Sequence, residues 1–253
     1  MGGLVDTVFA ILLISQFILA GVVFVLLMFI AAPYGKHSRK GWGPVIGSRS
    51  AWIIMELPAV FVILAVYTLF NDGISPVPMV MLFLWEAHYI YRTFLYPSFF
   101  RGSKRNFPIF LVFFAFPFNI MNGFINGYFI ASRSWELGWL ITIPFISGTI
   151  LFIGGFLMHV RSDARIRALR KPGEKGYSIP HGGGFRFISN PNYLGEIVEW
   201  CGWALLTFSL PGASFALFTV ANLVPRAISN HRWYRQTFDD YPQERKMLLP
   251  FIY

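Results

Sequence analysis

The sequence predicts an all-α integral membrane protein with seven transmembrane helices, its N-terminus outside and its C-terminus in the cytoplasm. Of the 253 residues, 55% are hydrophobic and only 13% are charged, and the mean hydropathy is +0.55. About a quarter of the residues in a soluble domain are charged, and a soluble globule of this length could not bury so much apolar surface. The composition therefore excludes an ordinary soluble enzyme and a disordered chain, and the single cysteine excludes a disulfide-stapled module.

Long apolar runs predict the first five helices, because a span needs about 20 mostly apolar residues. The first span, 7–35, contains no charged residue, and no lysine or arginine precedes it, as one would in a cleaved signal peptide. The other four predicted spans are 50–70, 77–96, 106–132 and 137–158.

The charge pattern predicts the last two helices. The uncharged stretch 200–225 is interrupted by Ser209-Leu210-Pro211-Gly212, so it fits either one kinked helix or two helices. Both flanking segments are basic, and basic loops stay on the cytoplasmic side, so an even number of crossings separates them. This predicts helices at 191–209 and 212–232.

The basic residues also predict the orientation. All lysines and arginines except Arg92 and Arg133 fall in four segments on the same predicted side: 36–49, 101–105, 161–186 and 226–246. The net charge of +9 is then explained by membrane topology. We therefore expect membrane lipid around the protein and no nucleic-acid partner.

Polar residues inside the predicted spans indicate a site, because charged groups in a membrane are costly and usually functional. Glu56 lies in the second span, and the third span contains Glu86, Tyr89, Arg92 and Tyr96. Positions 89, 92 and 96 share one helix face, which predicts the lining of an internal cavity. The alternative is a buried ion pair of Arg92 with one of the glutamates that only fixes helix packing.

Glu56 and Tyr89 can act together as an acid pair. A carboxyl group in an apolar site can stay protonated near neutral pH and donate a hydrogen bond to a carbonyl oxygen. A tyrosine beside it can donate a second hydrogen bond or deliver a proton. The five histidines are scattered without zinc-motif spacing, so we expect no metal.

Two basic regions suit a phosphate-bearing ligand. After the fifth span, Asp163, Arg167 and Arg170 share a helix side, and a glycine run at 182–184 precedes Asn190-Pro191, which opens the next helix. Arginines and a helix N-terminus together favour phosphate. The alternative is a basic loop that contacts lipid headgroups. The second region, near the end of the last helix, contains Arg226, Asn230, His231 and Tyr234; its alternative is an interfacial aromatic and basic belt.

These residues lie in motifs that resemble the steroid 5-alpha-reductase family over almost the whole chain. The matching segments are Tyr34-Gly35-Lys36-His37, Glu56-Leu57-Pro58, His88-Tyr89 through Arg92-Thr93-Phe94, Leu169 to Glu174, Tyr177 to Pro180, Asn192 to Glu196, and His231 to Tyr234. The sequence departs from the family pattern at Met55, His159 and Asn230.

The resemblance implies reduction by NADPH of the carbon–carbon double bond of an enone, which in steroids is a 3-oxo-4-ene. It implies that Glu56 and Tyr89 are catalytic and that they bind the substrate together with Trp52. The cofactor-binding residues that it implies are Tyr34, Arg92, Tyr96, Arg101, His159, Asp163, Arg170, Tyr177, Asn192, Glu196, Arg226, Asn230, His231 and Tyr234.

The expected organisation is one membrane domain over 1–253, in which 1–132 line the substrate cavity and 133–253 form the cofactor site. We expect a monomer that takes a lipid-soluble steroid, in a bacterial inner membrane or an endoplasmic reticulum, with the cofactor site open to the cytoplasm. Three alternatives remain at this point. Asn190-Pro191-Asn192-Tyr193 with Glu196 also resembles membrane methyltransferases that use S-adenosylmethionine. A reductase of enoyl thioesters would share the mechanism, and a non-enzymatic sterol or lipid sensor would share the fold.

Overall fold

A computed structural model of the chain describes residues 2–100, 106–169 and 176–250, most of which are helical. The helices are α1 (Gly2–Phe29), α2 (Ser48–Phe70), α3 (Pro76–Ile90), α4 (Tyr96–Ser98), α5 (Ile109–Ser132), α6 (Ile143–Ala168), α7 (Pro191–Thr207) and α8 (Leu210–Thr237). Strands β1 (Val45–Gly47) and β2 (Asn106–Pro108) form a small antiparallel sheet that the sequence did not predict.

Among the described residues, four helices are long and apolar enough to cross a membrane: α1, α2, α5 and α6. Helices α3 and α7 are shorter, and α8 is polar in its second half. Large apolar side chains such as Phe83, Phe113 and Ile143 are exposed on the surface, as expected where lipid covers a protein. The protein is thus a mostly helical membrane protein, and its seven-span topology and orientation stay predictions.

Several helix boundaries differ from the predicted ones. Helix α1 ends at Phe29, well before residue 35, and Pro33 follows it. The segment Leu137–Ile141 forms a 3₁₀ turn, and α6 begins only at Ile143, where the Thr142 side chain accepts a hydrogen bond from the Phe145 amide. Helix α3 continues through a π-helical turn, Tyr91–Leu95, into α4.

The interrupted stretch near residue 210 forms two helices. Phe208 ends α7 in the left-handed conformation, with φ of 44°. Ser209 then caps α8 by accepting a hydrogen bond of 2.9 Å from the Gly212 amide. The break therefore separates α7 from α8, as the basic segments on either side predicted.

Helices α6 and α7 pack with their backbones in contact. Gly148 and Gly155 in α6 face α7, and Gly195 and Gly202 in α7 face α6. A Cβ atom added at Gly195 would lie 2.5 Å from the His159 backbone nitrogen. Small residues let membrane helices approach this closely, and here they bring the polar side chains of both helices together.

Candidate functional site

A cavity of about 530 Å³ lies between the loop that follows α1, helix α2, the π-helical turn with α4, and helices α6, α7 and α8. Its lining includes most of the predicted site residues: Tyr34, Trp52, Arg92, Tyr96, His159, Asp163, Tyr177, Asn192, Glu196, Arg226, Asn230 and Tyr234. Glu56, Tyr89 and His231 are not part of this lining. The predicted cofactor residues Arg101 and Arg170 lie outside the described residues.

The cavity wall is cationic and aromatic. The Arg226 guanidinium lies 5.0 Å from the ring centre of Tyr34 and 5.3 Å from that of Tyr193. Lys36 places its ammonium 4.0 Å from the Tyr234 ring centre. Burial raises the pKa of Tyr34, an effect that Arg226 opposes, so the hydroxyl stays a neutral donor at pH 7.

Asn230 joins the loop after α1 to the start of α7. Its side-chain oxygen contacts His37 Nε2 at 3.0 Å, and its nitrogen donates to Asn190 Oδ1 at 3.0 Å and to the Tyr193 hydroxyl at 3.2 Å. Burial lowers the pKa of His37, although the hydrogen bond to Asn230 raises it, so the imidazole is neutral near pH 7. This junction holds the cavity wall in one arrangement.

Arg92 connects the cavity to Glu56. Its Nε lies 3.8 Å from Glu56 Oε1, and its Nη2 lies 3.8 Å from Glu196 Oε1. Its guanidinium also lies 4.6 Å from the Trp52 ring centre. Of the two ion pairs that the sequence allowed, the structure forms the one with Glu56. The carboxylate oxygens of Glu86 are buried without a hydrogen-bond partner among the described residues.

His159 lies at the centre of a buried charged cluster. Its Nε2 is 3.3 Å from Asp163 Oδ2, and its Nδ1 is 3.7 Å from Glu199 Oε2. Glu199 Oε1 in turn contacts His88 Nδ1 at 2.7 Å, and Asn192 donates to Asp163 Oδ1 at 3.0 Å. The cluster therefore orients the side chains at the start of α7.

The same cluster shows that two of the histidines, which are far apart in the sequence, lie close together in the structure. Donor atoms of His88, His159 and Glu199 lie within 4.8 Å of one another, a spacing that a metal ion can use. The two histidines lie on different helices, so linear spacing gave no sign of them. Each of these side chains already faces a hydrogen-bond or ion-pair partner.

The predicted acid pair lies outside the lining of the cavity. Glu56 Oε2 accepts a hydrogen bond of 3.3 Å from Asn119 Nδ2, and Asn119 also donates to the Met55 carbonyl at 2.7 Å. Tyr89 is buried, with its ring centre 4.8 Å from that of Trp85.

The asparagines of α5 were not among the site residues that the sequence predicted. Asn119, Asn122 and Asn126 are buried and follow the spacing i, i+3 and i+7. That spacing in an otherwise apolar span was the signal that could have revealed them.

His231 acts on the cavity through a neighbour. Its Nδ1 contacts the Ser189 hydroxyl at 2.6 Å, and Ser189 is part of the cavity lining. The Ser189 hydroxyl also contacts the Tyr241 hydroxyl at 2.6 Å. Ser189 thus ties both His231 and the C-terminal segment to the wall of the cavity.

The fold and the site define a class: a helical membrane protein whose cationic cavity suits a phosphate-bearing ligand and lies beside a partly buried carboxyl and a buried tyrosine. Comparison with known proteins gives the family. Residues 105–253 match the family model described as 3-oxo-5-alpha-steroid 4-dehydrogenase.

Similar proteins come from plants and mammals. The chain is 39% identical to the steroid 5-alpha-reductase of Arabidopsis thaliana, over 90% of this chain and 90% of the relative. It is 40% identical to 3-oxo-5-alpha-steroid 4-dehydrogenase 1 of Rattus norvegicus, over 88% of this chain and 87% of the relative. It is 42% identical to 3-oxo-5-alpha-steroid 4-dehydrogenase 2 of Homo sapiens, over 90% and 91%. The chain belongs to the steroid 5-alpha-reductase family, which confirms the resemblance.

Proposed function

We propose that the protein reduces the 4,5 double bond of 3-oxo-4-ene steroids and uses NADPH as the hydride donor. Relatives at this level of identity are named for steroid reduction. The observation that carries the proposal is the position of Arg92, which lines the cavity and also contacts Glu56. This side chain links a site for a charged cofactor to a partly buried acid.

The residues of the cavity fit NADPH. Ligand pockets commonly enclose about 300–1,000 Å³, and this cavity encloses about 530 Å³. Trp52 lines it, and the buried indole nitrogen of this residue has no hydrogen-bond partner among the described residues. Arg226 offers a positive charge for phosphate, and α7 begins beside the cavity with its N-terminus.

Chemically distinct groups would hold the parts of the cofactor. Arginine and lysine side chains suit its phosphates, tyrosines suit its rings, and asparagine and carboxylate groups suit its amide and hydroxyl groups. Residues in these roles would include Tyr34, Lys36, Arg49, Tyr177, Asn192, Glu196, Arg226 and Tyr234. Bound NADPH supplies a hydride.

Glu56 and Tyr89 would polarise the substrate ketone. One positive charge on Arg92 faces two carboxyl groups, those of Glu56 and Glu196, at 3.8 Å each. One of these carboxyls can therefore carry a proton, and we assign it to Glu56. Protonated Glu56 and the Tyr89 hydroxyl then donate hydrogen bonds to the carbonyl oxygen and stabilise the negative charge that develops there. The distant alkene carbon becomes electrophilic, and the carbon next to the carbonyl takes a proton at the end.

The proposal predicts that Glu56→Gln and Tyr89→Phe each lower kcat by about 10²–10⁴-fold, which is the usual value of a positioned acid. Their dissociation constants for NADPH should stay within about threefold of the wild-type value, because neither residue lines the cavity. The measurement is the steroid-dependent loss of NADPH absorbance by lipid-embedded protein, with progesterone as substrate.

Glu86→Gln is the matched control, since Glu86 is another carboxyl in a helix but lies outside the cavity lining. It should keep wild-type turnover. Full activity in Glu56→Gln would contradict the assigned role of Glu56. Wild-type protein that binds NADPH but reduces only enoyl thioesters would move the substrate assignment to that alternative, with the same residues at the carbonyl.

A further inference from the structure

Asn119 joins α5 to the part of α2 that carries Glu56. Its Nδ2 donates to the Met55 carbonyl at 2.7 Å and to Glu56 Oε2 at 3.3 Å, and the side chain is buried. Pro58 lies within the same turn of α2. A proline inside a helix removes one backbone donor and crowds the carbonyl one turn before it. Asn119 therefore supplies a donor at a turn where α2 has lost one of its own.

The packing of α2 against α5 holds Asn119 opposite Glu56. Asn119, Gly123 and Gly127 follow one another at a spacing of four, so they share one face of α5. A Cβ atom added at Gly123 would lie 3.2 Å from Val62 Cβ, and one added at Gly127 would lie 3.1 Å from the Ile63 carbonyl oxygen. This face of α5 therefore lies directly against α2, and neither helix has room to shift.

The Met55 carbonyl fixes the orientation of the Asn119 amide. A backbone carbonyl can only accept, so the atom of Asn119 that faces it is the nitrogen. The two hydrogens of this nitrogen serve two acceptors, the Met55 carbonyl and Glu56 Oε2. An exchange of the amide nitrogen and oxygen would lose both hydrogen bonds. Glu56 therefore always meets a donor at Oε2.

The two carboxyl oxygens of Glu56 consequently differ. Oε2 accepts from Asn119, whereas Oε1 lies 3.8 Å from Arg92 Nε, which is beyond hydrogen-bond distance. In a carboxylic acid the carbonyl oxygen is the better acceptor, so a donor at Oε2 favours the form whose proton is on Oε1. Because Arg92 lines the cavity, Oε1 is the oxygen on the side of the cofactor site.

We infer that Asn119 is a positioning residue, whose hydrogen bond to Oε2 selects Oε1 as the oxygen that carries the proton of Glu56 and presents it to the substrate ketone. Asn119 acts through Glu56 and is not part of the cavity lining. The two residues are 63 positions apart and on different helices. The inference rests on the proposed function, in which protonated Glu56 donates to the ketone.

The first test removes the donor and nearly keeps the volume. Asn119→Leu should lower kcat by about 10- to 100-fold, because an acid that is not aligned loses much of its effect. The dissociation constant for NADPH should stay within about threefold of the wild-type value. The unfolding temperature should fall by a few degrees, since the Met55 carbonyl also loses a donor.

Thr219→Val is the control for the loss of a buried polar group. Thr219 is buried and donates to the Phe215 carbonyl of its own helix at 3.0 Å. This variant should keep wild-type kcat. Wild-type kcat in Asn119→Leu, or an equal loss of kcat in Thr219→Val, would overturn the inference.

The second test asks whether Asn119 acts through Glu56. In Glu56→Ala there is no carboxyl to orient, so Asn119→Leu should change the residual kcat by less than about twofold. A purely structural role would lower kcat by the same factor in both backgrounds, and that result would overturn the inference. Asn119→Ala, which leaves room for a water at the Met55 carbonyl, is measured in parallel, so that a folding defect of the leucine variant leaves the test intact.

An infrared measurement separates this inference from the proposed function. The C=O stretching frequency of a protonated carboxyl is lower when the carbonyl oxygen accepts a hydrogen bond, and subtraction of the Glu56→Gln spectrum isolates Glu56. We expect this band to move to higher frequency in Asn119→Leu and to stay in place in Thr219→Val.

The possible infrared results have different consequences. An unmoved band in Asn119→Leu would refute the positioning role even in protein that reduces steroids. A spectrum that shows only carboxylate bands for Glu56 would refute both the positioning role and the assignment of the proton to Glu56. The expected movement in protein that does not reduce steroids would refute only the proposed function.

Discussion

Gly155→Ala is predicted to destabilise the protein and loosen the buried charged cluster. The added Cβ would lie 2.5 Å from the Gly195 carbonyl oxygen and 2.8 Å from the Glu199 Cα. Non-bonded carbon contacts are ordinarily about 3.5–4.0 Å. The two helices must therefore separate by about 1 Å, and both opposing groups are backbone atoms that cannot rotate away.

The expected cost follows from this overlap. Overpacking costs about 1–3 kcal/mol, which in a protein of this size lowers the unfolding temperature by about 2–12 °C. Glu199 also moves away from His88 and His159, whose contacts with it are 2.7 and 3.7 Å. Because His159 lines the cavity, we expect NADPH to bind more weakly as well.

The adjacent glycine, Gly154, provides a control for which we expect no loss of stability. A Cβ at Gly154 would meet no atom within 4 Å. Gly154→Ala should therefore be neutral or stabilise α6 by up to about 1 kcal/mol, through helix propensity alone. The measurement is thermal unfolding of both variants in one detergent, with titration of NADPH. Equal unfolding temperatures for the two variants would refute the account of glycine packing.

Two further predictions concern the cavity wall. Arg226→Ala should weaken NADPH binding by at least about 10-fold in a calorimetric titration, since a charge-assisted hydrogen bond contributes about 1.5–3 kcal/mol. Arg133→Ala is the control. An unchanged NADPH affinity in Arg226→Ala would show that Arg226 is not part of the cofactor site. Burial lowers the pKa of His37, so the unfolded chain takes up this proton before the folded protein does, and stability falls as the pH drops below about 6.5. The unfolding temperature of His37→Gln should fall less than that of the wild type between pH 7 and pH 5, and equal falls would contradict a half-buried His37 whose pKa is lowered.

The polar face of the third predicted helix shows which cavity residues helical spacing can predict and which it cannot. Spacing placed Tyr89, Arg92 and Tyr96 on one face, yet only Arg92 and Tyr96 line the cavity, whereas Tyr89 lies against Trp85. The π-helical turn at Tyr91–Leu95 is the physical reason. A π-turn has more residues than an α-turn, so side chains before and after it no longer follow one α-helical face. No feature of the local sequence predicted this turn.

Helical spacing in the sequence could not predict contacts between side chains on different helices. Glu199 and His88 are separated by 111 positions, and Gln16 and Asn122 by 106. These pairs depend on how the helices pack, which is set by glycines and aromatic side chains. The resemblance to the family predicted more of the site, because it named residues from many segments that the fold brings to one cavity.

The most direct measurement is NADPH oxidation by lipid-embedded wild-type protein, with and without a 3-oxo-4-ene steroid such as progesterone. We predict oxidation that depends on the steroid and yields a product two mass units heavier, in proportion to the NADPH consumed. Protein that is folded and binds NADPH, but neither oxidises it nor changes the mass of the steroid, would contradict the proposed function.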